Sequence, residues 1–151
     1  MLISTKYIIF VKLIEINFDG ACYNTGKGGV CGIGVIACID GEEVESLAAY
    51  LPKIGTVTDA EYGALREAVL LALQLAKTYK DAYFIFKGDS QIVVRQIKGI
   101  YQTNPTHTPI KNEIINYLSK LTMYSLHWIP RAQNGLADIL SKRGRALWNT
   151  D

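Results

Sequence analysis

The chain of 151 residues is 49% hydrophobic and 20% charged, enough apolar material for one core and too little polarity for a disordered chain, while two domains would each approach the size at which cores become marginal. Its net charge of +2 conceals an asymmetry: residues 1–86 hold seven basic and ten acidic side chains, whereas Lys87 to Arg145 holds nine basic and three acidic. A basic second half fits a phosphate-bearing partner and fits solvated helix faces about equally, so charge alone excludes neither.

The apolar start, Met1 to Ile14, is interrupted by Lys6 and Lys12 and lacks a small-residue cleavage site, which speaks against a membrane span or a signal peptide. Residues 1–11 are expected to extend the first strand or to pair with another chain. Tyr7 to Phe18 is rich in β-branched and aromatic residues and alternates from Leu13 onward, predicting a strand that ends at Asp19. Val30 to Ile39 reads as a second strand, Asp40-Gly41 as a two-residue hairpin turn, and Glu42 to Leu51 as a third strand. Cys22, Cys31 and Cys38 are odd in number and lack C-x-x-C spacing. They argue against a disulfide scaffold or zinc site and for reduced thiols in a cytoplasm.

The period then changes. Tyr62, Leu65, Val69, Ala72, Leu73 and Ala76 recur at helical spacing, predicting a mostly buried helix from Asp59 to about Tyr79. Ala82 to Phe86 suits an interior strand, and Ser90 to Lys98 a short helix ended by Gly99. Thr108-Pro109 opens a helix through Leu121, Tyr124 to Ile129 is a last strand, and Asn134 to Trp148 a final helix, with 149–151 as a tail. The order βββαβααβα predicts a single α/β domain over 1–151, built on a five-stranded mixed sheet flanked by helices.

Four carboxylates stand out in that order: Asp19 ends the first strand, Asp89 ends the fourth, and Glu61 and Asp138 lie early in two helices. Each has a bland explanation. Asp19-Gly20 suits a turn, Thr58-Asp59-Ala60-Glu61 a capping box, Asp89 a cap, and Asp138 a helix N-terminus. If the first and fourth strands are central parallel neighbours, however, Asp19 and Asp89 lie side by side where the connections diverge. Like charges gathered there imply a divalent cation held by oxygen ligands.

With those residues placed, the chain resembles the ribonuclease H type 1 family from about Ile14 to Leu140. The resemblance rests on Phe18-Asp19-Gly20-Ala21-Cys22 with Gly32-Ile33-Gly34, on Ala60 to Leu65, on Lys87-Gly88-Asp89-Ser90-Gln91 through Gln96, and on Trp128 to Asp138. It implies the ribonuclease H-like fold and a metal-dependent endonuclease that cuts the RNA strand of RNA/DNA hybrids, leaving 5′-phosphate and 3′-hydroxyl ends. Two Mg²⁺ or Mn²⁺ ions would be bound by Asp19, Glu61, Asp89 and Asp138, hard oxygen donors suited to such cations. Gly20, Ala21, Cys22 and Gln91 match positions that meet the hybrid near its 2′-hydroxyls.

Three departures from the family pattern follow. Trp128 to Asn134 is too short for the Gly-His loop of many relatives, so Arg131 is the nearest cation able to take that histidine's place at phosphate, a surface arginine being the alternative. His127 reads as a structural or surface histidine and His107 as part of a distant polar loop. Thr56-Val57-Thr58 replaces Thr-Asn-Asn, leaving Thr56 as a candidate phosphate contact. Gly99 to Thr106 is too short for a basic handle, so affinity rests on Arg95, Lys98, Lys142, Arg143 and Arg145. The expected partner is an RNA/DNA hybrid, with double-stranded RNA as a second candidate, and the expected state is a cytoplasmic monomer without membrane contact. A DNA-cutting enzyme on the same fold and a hybrid-binding module without catalysis are the competing readings.

Overall fold

The computed structural model describes residues 2–3, 8–9, 11–23 and 29–148. Strands β1 (Lys12–Cys22), β2 (Cys31–Ile39), β3 (Glu42–Tyr50), β4 (Ala82–Gly88) and β5 (Tyr124–Trp128) form one sheet in the order β3-β2-β1-β4-β5. The pairs β1–β2 and β2–β3 are antiparallel, whereas β1–β4 and β4–β5 are parallel. The mixed sheet and the adjacency of the first and fourth strands are as the element order predicts. Helices α1 (Val57–Leu75), α2 (Gln91–Ile97), α3 (Thr108–Leu118) and α4 (Gly135–Leu147) complete it, with short 3₁₀ turns at Pro105–His107 and Arg131–Gln133.

Strand alternation decides which side chains meet which helix. Ile14, Ile16 and Phe18 of β1 join Ile33 and Val35 of β2 in the core shared with Tyr62, Leu65, Ala68 and Val69 of α1. The opposite face is covered by α4, which approaches so closely that a Cβ on Gly32 or Gly34 would overlap backbone atoms of Ser141. Asp19 stands directly opposite Gly34 in the ladder and therefore faces α4. Gly20, one residue on, turns to the other face, where a Cβ would collide with the Ala60 backbone. That close approach brings the first turns of α1 against the end of β1.

Several predicted boundaries move, each for a local reason. The first strand does not end at Asp19. Antiparallel pairing with β2 carries it to Cys22, while parallel pairing with β4 stops at Phe18↔Gly88. Nor does it begin at Tyr7: Ile8–Ile9 pair with Leu2–Ile3 in a separate two-stranded ladder, and Tyr7 and Phe10 lie outside the described residues. The expected tail at 149–151 also lies outside them.

Helix α1 starts two residues early because Thr56, not Thr58, is its N-cap. Asp59 donates its backbone N–H to the Thr56 hydroxyl at 3.2 Å, and the Asp59 carboxylate accepts from the Thr56 backbone N–H at 2.7 Å, a reciprocal capping box. The helix closes at Leu75 in turns that reach Tyr79. Helix α3 stops at Leu118, three residues before the predicted end. The Asp40-Gly41 turn is as predicted, both residues having positive φ, 53° and 81°.

The cysteines correct a further expectation. Cys22 and Cys31 are direct partners across the β1–β2 ladder and are joined as a disulfide, leaving Cys38 free. Sequence spacing carries no sign of this pairing because strand register creates it. No described helix is long and apolar enough to cross a membrane.

Candidate active site

Parallel strands β1 and β4 part after Phe18 and Gly88, and the next residue on each is an aspartate. Asp89 is held in place from the end of β5: the Trp128 indole donates to the Asp89 carbonyl at 3.2 Å, and the backbone N–H of Ile129, just past the strand, donates to the Gly88 carbonyl at 2.9 Å. Glu61 arrives from α1 beside Gly20. Asp19, Glu61 and Asp89 each offer a carboxylate oxygen within 4.8 Å of the other two. The cluster lines a cleft of about 360 Å³ together with Gly20, Ala21, Cys22, Arg131, Asp138, Lys142 and Arg145.

Electrostatics mark Asp19 as the strained member. It is 6% exposed, and burial first, then the neighbouring Asp89 and Asp138 carboxylates, push its carboxyl up to about 7. The Ser141 hydroxyl, 3.2 Å from Asp19 Oδ2, offsets part of this. Burial also raises Glu61, opposed by a hydrogen bond from Ser90 and reinforced by Asp89. Asp138 goes the other way. Burial opposes its charge, but Lys142 at 2.9 Å, a hydrogen bond from Asp19 and Arg131 at 3.6 Å hold its carboxyl below the ordinary range. All four predicted carboxylates therefore converge. Three form the mutual oxygen cluster, and Asp138 touches Asp19 while engaged by two cations.

The other predicted residues are distributed unevenly. Gly20, Ala21 and Cys22 line the cleft, with Cys22 tied to Cys31. Arg131 reaches it on a side chain that is 75% exposed. Gln91 opens α2 and is exposed. Arg95 lies with its guanidinium 5.2 Å from the centre of the Tyr101 ring and donates to the Tyr101 hydroxyl at 2.7 Å. The Thr56 hydroxyl is engaged in the α1 cap. His127 bonds Ser125 at the surface, as expected. His107, at the end of the 3₁₀ turn Pro105–His107 and outside the cleft lining, stacks on Tyr62 and meets Asp59 at 2.7 Å, bracing the start of α1. Sequence reasoning missed Asn134, Ser141 and Trp128 as supports of the cluster. The first two lie at helical spacing from Asp138, and Trp128 and Asn134 also fall within the Trp128 to Asp138 segment that carries the family resemblance.

A family model described as reverse transcriptase-like matches residues 17–144. The solved ribonuclease H1 of the halophilic archaeon Halobacterium salinarum is 26% identical with a TM-score of 0.76, over 87% of this chain and 96% of that one. The chain belongs to the ribonuclease H type 1 family. A second similar structure is LC11 ribonuclease H1, isolated from compost by a metagenomic approach, 28% identical with a TM-score of 0.80 over 88% of this chain and 95% of that one. That protein has also been solved in complex with an RNA/DNA hybrid. The N-terminal ribonuclease H domain of Rv2228c from Mycobacterium tuberculosis, at 22% identity and a TM-score of 0.79 over 90% and 95% of the two chains, shares the fold. As a ribonuclease H this chain is a nuclease. The cluster fits divalent cations on its own terms: its donors are hard oxygens, three of them converge, and burial and neighbouring carboxylates disfavour the charge of the most buried one.

Proposed function

We propose that this ribonuclease H is a metal-dependent endonuclease that hydrolyses the RNA strand of RNA/DNA hybrids and leaves 5′-phosphate and 3′-hydroxyl ends. The observation that carries the reading is the convergence of Asp19, Glu61 and Asp89 at the point where β1 and β4 diverge. Asp19, Glu61, Asp89 and Asp138 would hold two Mg²⁺ or Mn²⁺ ions. Bound there, such ions supply an activated water and stabilise charge on the leaving 3′ oxygen. Asp19 and Asp89 each follow the last residue pair of the parallel β1–β4 ladder, and Ser141 orients Asp19 through Oδ2. Arg131, exposed at the rim beside Asp138, is positioned to meet a phosphate in the place of the missing histidine loop. The Gly20 to Cys22 backbone and Gln91 are the proposed contacts to the ribose 2′-hydroxyls that distinguish RNA from DNA. Thr56 would add a phosphate contact only on release from the α1 cap, whereas Arg95 gives one guanidinium nitrogen to Tyr101 and would offer its other N–H groups to phosphate.

The test is cleavage of end-labelled RNA/DNA, RNA/RNA and DNA/DNA duplexes in Mg²⁺, Mn²⁺ or EDTA, with Asp89→Asn alongside. The expected result is metal-dependent cutting of the hybrid's RNA strand, lost in the variant. Cutting of RNA/RNA as well would extend the substrate to double-stranded RNA. Binding of hybrid without cutting of any duplex would overturn the catalytic reading in favour of a binding module.

A further inference from the structure

Asn134 is 1% exposed, and its side-chain hydrogen-bonding groups are all engaged. Nδ2 donates to the Phe18 carbonyl at 2.9 Å and to Asp89 Oδ2 at 3.2 Å, while Oδ1 accepts from Asn17 Nδ2 at 3.0 Å. A backbone carbonyl and a carboxylate can only accept here, so chemistry fixes which end of the amide faces them. The residue is also the N-cap of α4, a position where asparagine ordinarily caps through its side chain, yet it makes no such bond. Its side chain has been turned from its own helix toward Asp89. Its backbone carbonyl meanwhile accepts from the Asp138 N–H at 3.0 Å.

We propose that Asn134 is a positioning residue of the active site: it clamps one oxygen of Asp89 and, through the main chain of α4, sets the placement of Asp138 relative to it. The inference rests on the metal-dependent reading above and extends it to a residue that touches neither substrate nor cation. A support of this kind acts on the geometry and basicity of the carboxylate it holds, and its removal from metal sites generally costs about 10- to 100-fold in affinity or activity.

The experiment pairs Asn134→Ala with Asn134→Ser. Serine can cap α4 and so supports folding, but it is too short to span both Phe18 O and Asp89 Oδ2. Leu118→Ala, a buried core residue of α3, serves as a control for lost stability alone. Mn²⁺ binding to the metal-free chain is measured by calorimetry, and hybrid cleavage is resolved into kcat and KM well below each variant's melting temperature. For both Asn134 variants the expected result is about a tenfold or greater loss in Mn²⁺ affinity and in kcat, with KM for hybrid within about threefold of the unsubstituted chain, while Leu118→Ala keeps both. If either folded Asn134 variant retains both affinity and kcat within about twofold, the positioning role is overturned while the catalytic reading stands. If the unsubstituted chain neither binds Mn²⁺ nor cleaves, the catalytic reading falls and takes the inference with it.

Discussion

Placing a carboxylate opposite Gly34 and under α4 works against folding whenever that carboxylate is charged. Asp19 has its carboxyl raised from 3.8 to about 7 by burial and by Asp89 and Asp138. Between those values the folded chain binds the proton that the unfolded chain releases, so stability falls as pH rises through the window and the loss saturates above about pH 7. The gap between those two values makes its size on the order of 4 kcal/mol. Asp19→Asn removes the charge and keeps the shape. In EDTA, the variant is expected to melt about 5 °C or more above the unsubstituted chain at pH 8, with a flatter profile between pH 4 and 7, and to lose cleavage. Calorimetry across that range checks it, and a lower melting temperature at pH 8 would show that Asp19 is compensated without a cation. At this scale the sequence announced the carboxylates but not their supports. An aspartate at a strand end is a recognisable signal, whereas Asn134 reads only as a cap until Phe18 and Asp89, far away in the chain, are seen to claim its amide.

Among the elements, order and pairing were legible because apolar period and turn chemistry agree: alternation into Asp40-Gly41, then helical spacing from Tyr62 onward. Ends were less legible where a distant partner decides them. Strand β1 outruns Asp19 because β2 continues beside it, and the cystine bridging the two strands follows from register. At α1 two overlapping capping boxes, Thr56 with Asp59 and Thr58 with Glu61, are both written in the sequence, and His107 helps to decide between them by binding Asp59. Burial alone would raise the Asp59 carboxyl, but the Thr56 N–H, His107 and the Thr56 hydroxyl together hold it low. Choosing the earlier cap leaves Glu61 free for the site. Thr56→Ala is therefore expected to cost about 1 kcal/mol, roughly 2 to 4 °C in melting temperature, and Thr58→Ala less than half of that. Thermal melts of the two variants check it, and the reverse ranking would place the cap at Thr58.

Over the whole molecule, folding gives meaning to a charge asymmetry that is ambiguous as a count. Glu42, Glu43 and Glu45 lie exposed on edge strand β3, whereas Arg131, Lys142 and Arg145 border the cleft that holds the carboxylates. The Arg145 guanidinium lies 4.1 Å from the centre of the Tyr23 ring, a stacking that holds a cation beside the cleft. Cations gathered around an acidic centre suit a polyanionic substrate, because they attract phosphates to a place the carboxylates alone would repel. If these three reach phosphates of a hybrid, binding should weaken with salt at a slope of about 0.9 per contact on a logarithmic scale. That amounts to roughly 40-fold between 50 and 200 mM salt. Arg145→Ala should lower the slope by about 0.9, leaving roughly 12-fold over the same range. Binding is best followed by fluorescence anisotropy with Asp89→Asn, which leaves all three cations in place and prevents cutting. Arg143→Ala, on α4 but outside the cleft lining, separates the cleft cations from the wider basic surface. An unchanged slope in Arg145→Ala with a lowered slope in Arg143→Ala would move the phosphate track off the cleft rim. No salt dependence in any of them would return the basic second half to solvated helix faces.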